Sequence, residues 1–145
     1  MWTRRRIWEF GLLAGMAGKA SAGTPVRASR NPNTVYQLTE RDRATFALAN
    51  IHNHYGAVGD EPVQLALVVI GGAIAAFRTD SASFEVVDAF RELVDLNGLR
   101  VLACSNSLRA QGIAVTALLP GFQAVESGVV TIAQLQASGY AYIRP

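Results

Sequence analysis

The chain holds one cysteine, Cys104, and it lies in the stretch with the clearest chemical potential, Leu99–Ile113 (LRVLACSNSLRAQGI). Leu99–Ala103 reads as a short apolar strand that runs into Cys104, then into a polar turn and a helix, Ser107–Gln111, stopped by Gly112. In open parallel sheets the rim outside the carboxyl ends of the strands is where ligands bind. A helix N-terminus at that rim offers unpaired N–H groups and the positive end of a dipole, and both favour an anion. A thiolate is such an anion, so the position predicts a lowered pKa and a reactive sulfur. The competing reading is a small buried hydrophobe at a strand end, which is the commoner fate of a free cysteine.

Two other groups invite a chemical reading. His52 and His54 lie on one expected helix but point about 200° apart, so they cannot grip one metal together. Gly71-Gly72 follows an apolar run immediately, where a ligand can approach the backbone closely. It lacks the spacing of a dinucleotide fingerprint or a phosphate-binding loop. A single cysteine forms no internal disulfide and supplies no CxxC pair for zinc. No metal and no cofactor is therefore expected.

The 145 residues suit one domain, and with 50% of them hydrophobic and 17% charged a packed core is expected. The formal charge of +2 is unevenly placed: the first 22 residues hold Arg4, Arg5, Arg6 and Lys19 against Glu9 alone. The remainder has 9 basic and 10 acidic residues and no lysine, hence no electrostatic reason to bind nucleic acid.

Residues 1–22 read as an export signal. Trp2–Arg6 is a positive region, Phe10–Gly18 is short and apolar, and Ala20-Ser21-Ala22 is an A-x-A cleavage site. The apolar run is far below the ~20 residues that span a bilayer, so no stable membrane span is expected. Thr3–Trp8 (TRRRIW) resembles the twin-arginine motif, with Glu9 in a place where that motif often has lysine. The expectation is a periplasmic protein, with residues 23–33 as a linker and 34–145 as the domain.

The elements that must position Cys104 follow in order. Thr34–Leu38 alternates and is β-branched, the mark of a strand. Thr39-Glu40-Arg41-Asp42 is a helix-start pattern, followed by Ala44, Ala47, Leu48, Ile51 and Tyr55 at helical spacing, with Gly56 and Gly59 as the stop. Asn53 shares another face of that helix with Phe46 and Asn50, and with Gly71 and Gly72 it is a candidate pocket residue. Val63–Ile70 is almost continuously apolar, as in a strand buried on both faces. Ala73–Phe77 follows as a short helical turn. Phe84–Leu96 is a helix burying Val86, Phe90 and Leu93, with Asp88, Arg91, Glu92 and Asp95 on its wet side. Beyond Cys104, Ile113–Leu119 suggests a further helical turn, Phe122–Val125 a fourth strand, Thr131–Gln134 a capping box, and Tyr140–Ile143 a fifth strand. This alternation predicts a parallel sheet with right-handed crossovers.

Several of these stretches together resemble the DsrE/DsrF-like family. They are the Cys104-x-Asn106-Ser107-Leu108 turn, Leu118-Leu119-Pro120-Gly121, Gly128-Val129-Val130, the ending Leu135–Pro145 (LQASGYAYIRP), and Ala47–His54 (ALANIHNH). The resemblance spans Val35 to Pro145. It implies an α/β fold, three-layer α/β/α with a mostly parallel five-stranded sheet, assembled as a homo-oligomer, a trimer or hexamer. Members of the sulfur-relay branch carry sulfane sulfur as a persulfide, and Cys104 matches the family's cysteine. Ser107 stands where threonine is common and Ile70 where histidine is frequent. Relay members are cytoplasmic, whereas this chain carries an export-like leader.

A sulfur carrier needs a thiolate that attacks sulfane sulfur and then holds a persulfide anion. The N–H groups of Asn106, Ser107 and Leu108 are the expected stabilisers, and Arg109 is a candidate cation. Three functions follow: a sulfur carrier or sulfurtransferase-like protein using Cys104, with a donor or acceptor protein as partner; a non-catalytic oligomeric module binding a small ligand; or a thiol redox sensor, which needs a partner thiol.

Overall fold

The computed structural model describes residues 31–145; the export signal assigned to residues 1–22, and the linker up to residue 30, lie outside the described residues. Five strands form one sheet: β1 Thr34–Leu38, β2 Leu65–Val69, β3 Arg100–Cys104, β4 Phe122–Val125 and β5 Ala141–Ile143. All pairings are parallel, in the order β4-β3-β2-β1-β5. The register brings Leu38, Val69 and Ala103 level, and sets Cys104 opposite Val125. The carboxyl ends of four strands thus share one rim.

The two-residue period of the strands sorts their side chains onto two faces. Tyr36, Leu38, Leu65, Leu67, Val69, Val101 and Ala103 enter the larger core, under α1 Ala44–Val58 and α2 Phe84–Asp95. Helix α1 turns Ala44, Ala47, Leu48 and Ile51 inward, small residues that let it lie close to its neighbours. Helix α2 buries Val86, Phe90 and Leu93, and its first turn is held by the Ser83 hydroxyl accepting from Val86 N–H at 3.3 Å. Phe77, Phe90 and Phe122 stack or meet edge-on with centroids 5.2–5.6 Å apart. On the other face Val35, Ala66, Val68 and Leu102 meet Ile132 of α4 Gly128–Ala137. Helices therefore cover both sides of the sheet, a three-layer α/β/α arrangement.

Several boundaries differ from the sequence expectation. The Thr39–Asp42 pattern caps nothing: α1 is entered through a 3-10 turn, Arg41–Arg43, without a side-chain cap, and the Thr39 hydroxyl donates to the Glu40 carboxylate at 2.5 Å. Gly56 lies inside α1, and Gly59, at φ 65°, ends it. Helix α3, Ser105–Gln111, starts two residues before Ser107. Helix α4 starts at Gly128, because Ser127 takes the cap position and accepts from Val130 N–H at 3.4 Å. Thr131, the expected cap, is inside the helix and donates its hydroxyl to the Ser127 carbonyl at 2.9 Å. The helical turns expected at Ala73–Phe77 and Ile113–Leu119 are 3-10 helices, Gly71–Phe77 and Val115–Ala117.

Candidate functional site: a thiol at the sheet rim

Cys104 is the last residue of β3 and the residue from which α3 departs. Its neighbour across the sheet is the end of β4, so a second strand-to-helix turn, Val125–Gly128, stands beside the first. The rim is thus built from two adjacent turns, and the thiol lies between them.

Cys104 is 4% exposed, yet its surroundings are not hydrocarbon alone. The sulfur makes no side-chain capping hydrogen bond to α3; the amides around it act on its charge rather than as a formed cap. Burial pushes its pKa up. The polar pull of Gly128 N–H, of the N–H and hydroxyl of Ser107, and of Asn106 N–H acts against burial and outweighs it. The result is a pKa below that of an ordinary thiol. Ser107 is itself buried, and its Oγ accepts a bond from Gly71 N–H at 2.8 Å. A hydroxyl oxygen that accepts in this way still has its own proton to direct toward the thiol side.

Gly71 provides that N–H from a left-handed backbone, φ 61°, which glycine adopts at little cost. Gln111 braces the same loop: its Nε2 donates to the carbonyl of Gly71 at 2.8 Å and to that of Ser107 at 3.2 Å. Gly128 is required sterically. A Cβ there would stand 2.6 Å from Ile70 Cγ1 and 3.2 Å from Cys104 Cβ. Ile70 and Cys104 therefore both crowd the start of α4, and only a glycine fits between them.

The remaining expected site residues are placed differently. The Leu108 side chain is buried in the larger core, and its N–H is not among the groups acting on the sulfur. Arg109 points along the rim. Its Nη2 donates to Asn106 Oδ1 at 2.5 Å and pairs with Glu126 at 3.0 Å, tying α3 to the β4–α4 turn rather than facing the thiol. Gly71 and Gly72 pack near the carbonyl of Thr39, which a Cβ on either would meet at 3.7–3.8 Å. A groove of about 450 Å³ does open between the starts of α1 and α2, lined by Arg41, Thr45, Ser83 and Val86 and not by these glycines. Asn53 does not join the site. It is exposed on α1, in a groove against α2, ~13 Å along the helix axis from its start.

Four participants escaped the sequence reading: Gly128 as a donor, Gln111 as a brace, Glu126 as the partner of Arg109, and Ile70 as the side chain packed on Gly128. One signal was available. Phe122–Val125 ends in Glu126-Ser127-Gly128, a second strand-to-helix turn that becomes visible once β4 is recognised as the neighbour of β3.

The histidines serve separate contacts. His54 Nδ1 lies 2.8 Å from the Tyr36 hydroxyl, and burial holds the His54 pKa below its ordinary value. His52 Nε2 meets Glu92 at 3.3 Å. Among the described residues no group of three or more His, Cys, Asp or Glu is placed to hold a metal, and no helix is long and apolar enough to cross a membrane.

Fold and site together define a class: a parallel three-layer α/β/α protein carrying a donor-ringed thiol at its sheet rim. Residues 34–145 match the DsrE/DsrF-like family, and the chain belongs to it. It is similar to the protein of unknown function MTH1491 from Methanobacterium thermoautotrophicum, with 34% identity and a TM-score of 0.69, covering 78% of this chain and 98% of that one. The ychN protein from E. coli shares the fold at 13% identity and a TM-score of 0.60, covering 78% of this chain and 99% of its own. No curated protein matches the sequence.

Proposed function

We propose that this protein is a sulfur carrier, or sulfurtransferase-like protein, that holds sulfane sulfur as a persulfide on Cys104. The observation carrying this reading is the convergence of donors from two neighbouring turns, Asn106 and Ser107 on one side and Gly128 on the other, on the chain's one cysteine. Such donors stabilise the attacking thiolate and, after transfer, the persulfide anion. The reaction balances simply. The thiolate attacks the outer sulfur of a donor R–S–SH, the donor's S–S bond breaks, Cys104–S–SH forms and RS⁻ leaves. Membership of a family often linked to sulfur relay supports the same reading.

Incubation with a hydropersulfide donor followed by intact-mass measurement tests it. The wild type gains one sulfur and Cys104→Ser gains none. An unchanged wild-type mass under conditions that load a free thiol overturns the proposal. The near-burial of Cys104 favours one second reading, a small-ligand module in which the thiol is structural. There Cys104→Ser leaves binding intact. We also read the chain as an exported, periplasmic homo-oligomer; support comes from the leader's arginines and A-x-A site and from the habit of the family.

A further inference from the structure

We propose that Gln111 is a positioning residue for the chemistry of Cys104: it fixes Gly71, Gly71 fixes the Ser107 hydroxyl, and the hydroxyl tunes the sulfur. This deepens the sulfur-carrier reading and takes from it that the ionised thiol is the working form.

The loop after β2 is pinned on two sides. Toward β1, Ile70 N–H donates to the Leu38 carbonyl at 2.9 Å and Ala73 N–H to the Thr39 carbonyl at 3.1 Å. Toward α3 the loop presents Gly71. Its N–H donates to Ser107 Oγ at 2.8 Å, and its carbonyl accepts from Gln111 Nε2 at 2.8 Å. Positions 107 and 111 are one turn apart on one face of α3, so the two side chains grip a single residue as a pair. The same Nε2 lies 3.2 Å from the Ser107 carbonyl. Both of its neighbours are acceptors, so the amide must turn its donor end inward.

The grip matters because of what it holds. Glycine, here at φ 61°, is the residue with the most backbone freedom. A clamp on the Gly71 carbonyl limits that freedom and keeps the N–H aimed at Ser107. The Ser107 oxygen then accepts from a fixed direction, and its own proton is left for the side where Cys104 lies. Without the clamp the hydroxyl is free to turn and donate elsewhere. Gln111 is not among the groups that act on the sulfur directly, so its influence passes through the loop.

Charge offers no competing route. Gln111 is neutral, and residues 70–77, β4 and α4 carry no charged side chain. At the same rim Arg109 pairs with Glu126 at 3.0 Å and Arg144 with Glu40 at 2.7 Å. The turn Arg41–Arg43 packs against the loop with its three charged residues exposed, and Arg100 is at the opposite end of β3. A neutral substitution at position 111 changes none of these charges.

Gln111→Met keeps the length and helix propensity of an exposed position and removes the donor. The ionisation of Cys104 is read from the ultraviolet absorbance of the thiolate, with Cys104→Ser subtracted. Loss of one hydrogen bond's support is expected to lower the thiolate-to-thiol ratio at a given pH roughly threefold, with far-ultraviolet circular dichroism unchanged. Gln111→Ala is expected to behave alike. In a Ser107→Ala background Gln111→Met is expected to add nothing, because the two act in series. A ratio that stays at the wild-type level in both Gln111 variants overturns the proposal. So does an equal fall in the Ser107→Ala background, since Gln111 then acts by another route. Sulfur loading is followed separately by intact mass: a wild type that takes up no sulfur counts against the carrier, while the absorbance still decides the role of Gln111.

Discussion

The two faces of the sheet are built to different standards. Under α1 and α2 lies a broad core with three phenylalanines in mutual contact and most of the fully buried large side chains. Under α4 the buried set shrinks to Val35, Ala66, Val68, Leu102 and Ile132, and α4 leaves Val129 and Val130 exposed on its outside. Cys104, by its parity with Leu102, belongs to the thin face. Hydrophobic stabilisation scales with the apolar area removed from water, so the first face holds the fold together. The second places a thiol among N–H donors where little else depends on it.

The contrast can be broken experimentally. The largest expected effect is Phe90→Ala, which removes the centre of the aromatic cluster and is expected to destabilise by ~3–5 kcal/mol in denaturant unfolding. Ile132→Ala on the thin face should cost only ~2 kcal/mol, and equal costs would abolish the distinction. Next comes Gly128→Ala, whose new methyl would press on Ile70 Cγ1 at 2.6 Å. A loss of ~1–3 kcal/mol from overpacking is expected, relieved by adding Ile70→Ala, and the thiol's reactivity should shift with it.

Ser107→Ala sharpens the comparison further. It leaves Gly71 N–H without its acceptor and the sulfur without a donor, so a cost of ~1 kcal/mol is expected. The midpoint of alkylation rate against pH should also rise. The smallest effect is the pH linkage of Cys104 itself. Its folded pKa is depressed, so the ionised sulfur adds stability that is fully present above the pKa of a free cysteine, ~8.5, and is lost as pH falls through the lower folded value. Comparing wild type with Cys104→Ser in denaturant at pH 6 and pH 9 reads this directly; a wild-type advantage that is the same at both pH values contradicts the lowered pKa.

Much of the fold was legible in the sequence because strands announce themselves by period. Thr34–Leu38, which alternates, and Phe122–Val125 have the boundaries read from the sequence, and the unbroken apolar run around Leu65–Val69 marks a strand covered on both faces. Helix starts were harder, since Ser127 and Thr131 both offer a hydroxyl and local chemistry does not choose between them. The packing of Gly128 against Ile70 and Cys104 does. The site was half legible. Proximity within one turn put Asn106 and Ser107 near the sulfur, whereas Gly128 and Gln111 reach it only through strand order. Asn53 failed for a related reason: helical phase gives the direction of a side chain around the axis but says nothing of its height above the rim.

The hydroxyl of Ser107 has one last consequence. It accepts a hydrogen bond from the loop after β2, sits on the helix after β3, and neighbours a sulfur that also answers to the turn after β4. Those three stretches meet only when three strands lie side by side. An unravelled copy therefore carries an ordinary cysteine, and the acidity of a single sulfur becomes a gauge of whether this half of the molecule has been assembled.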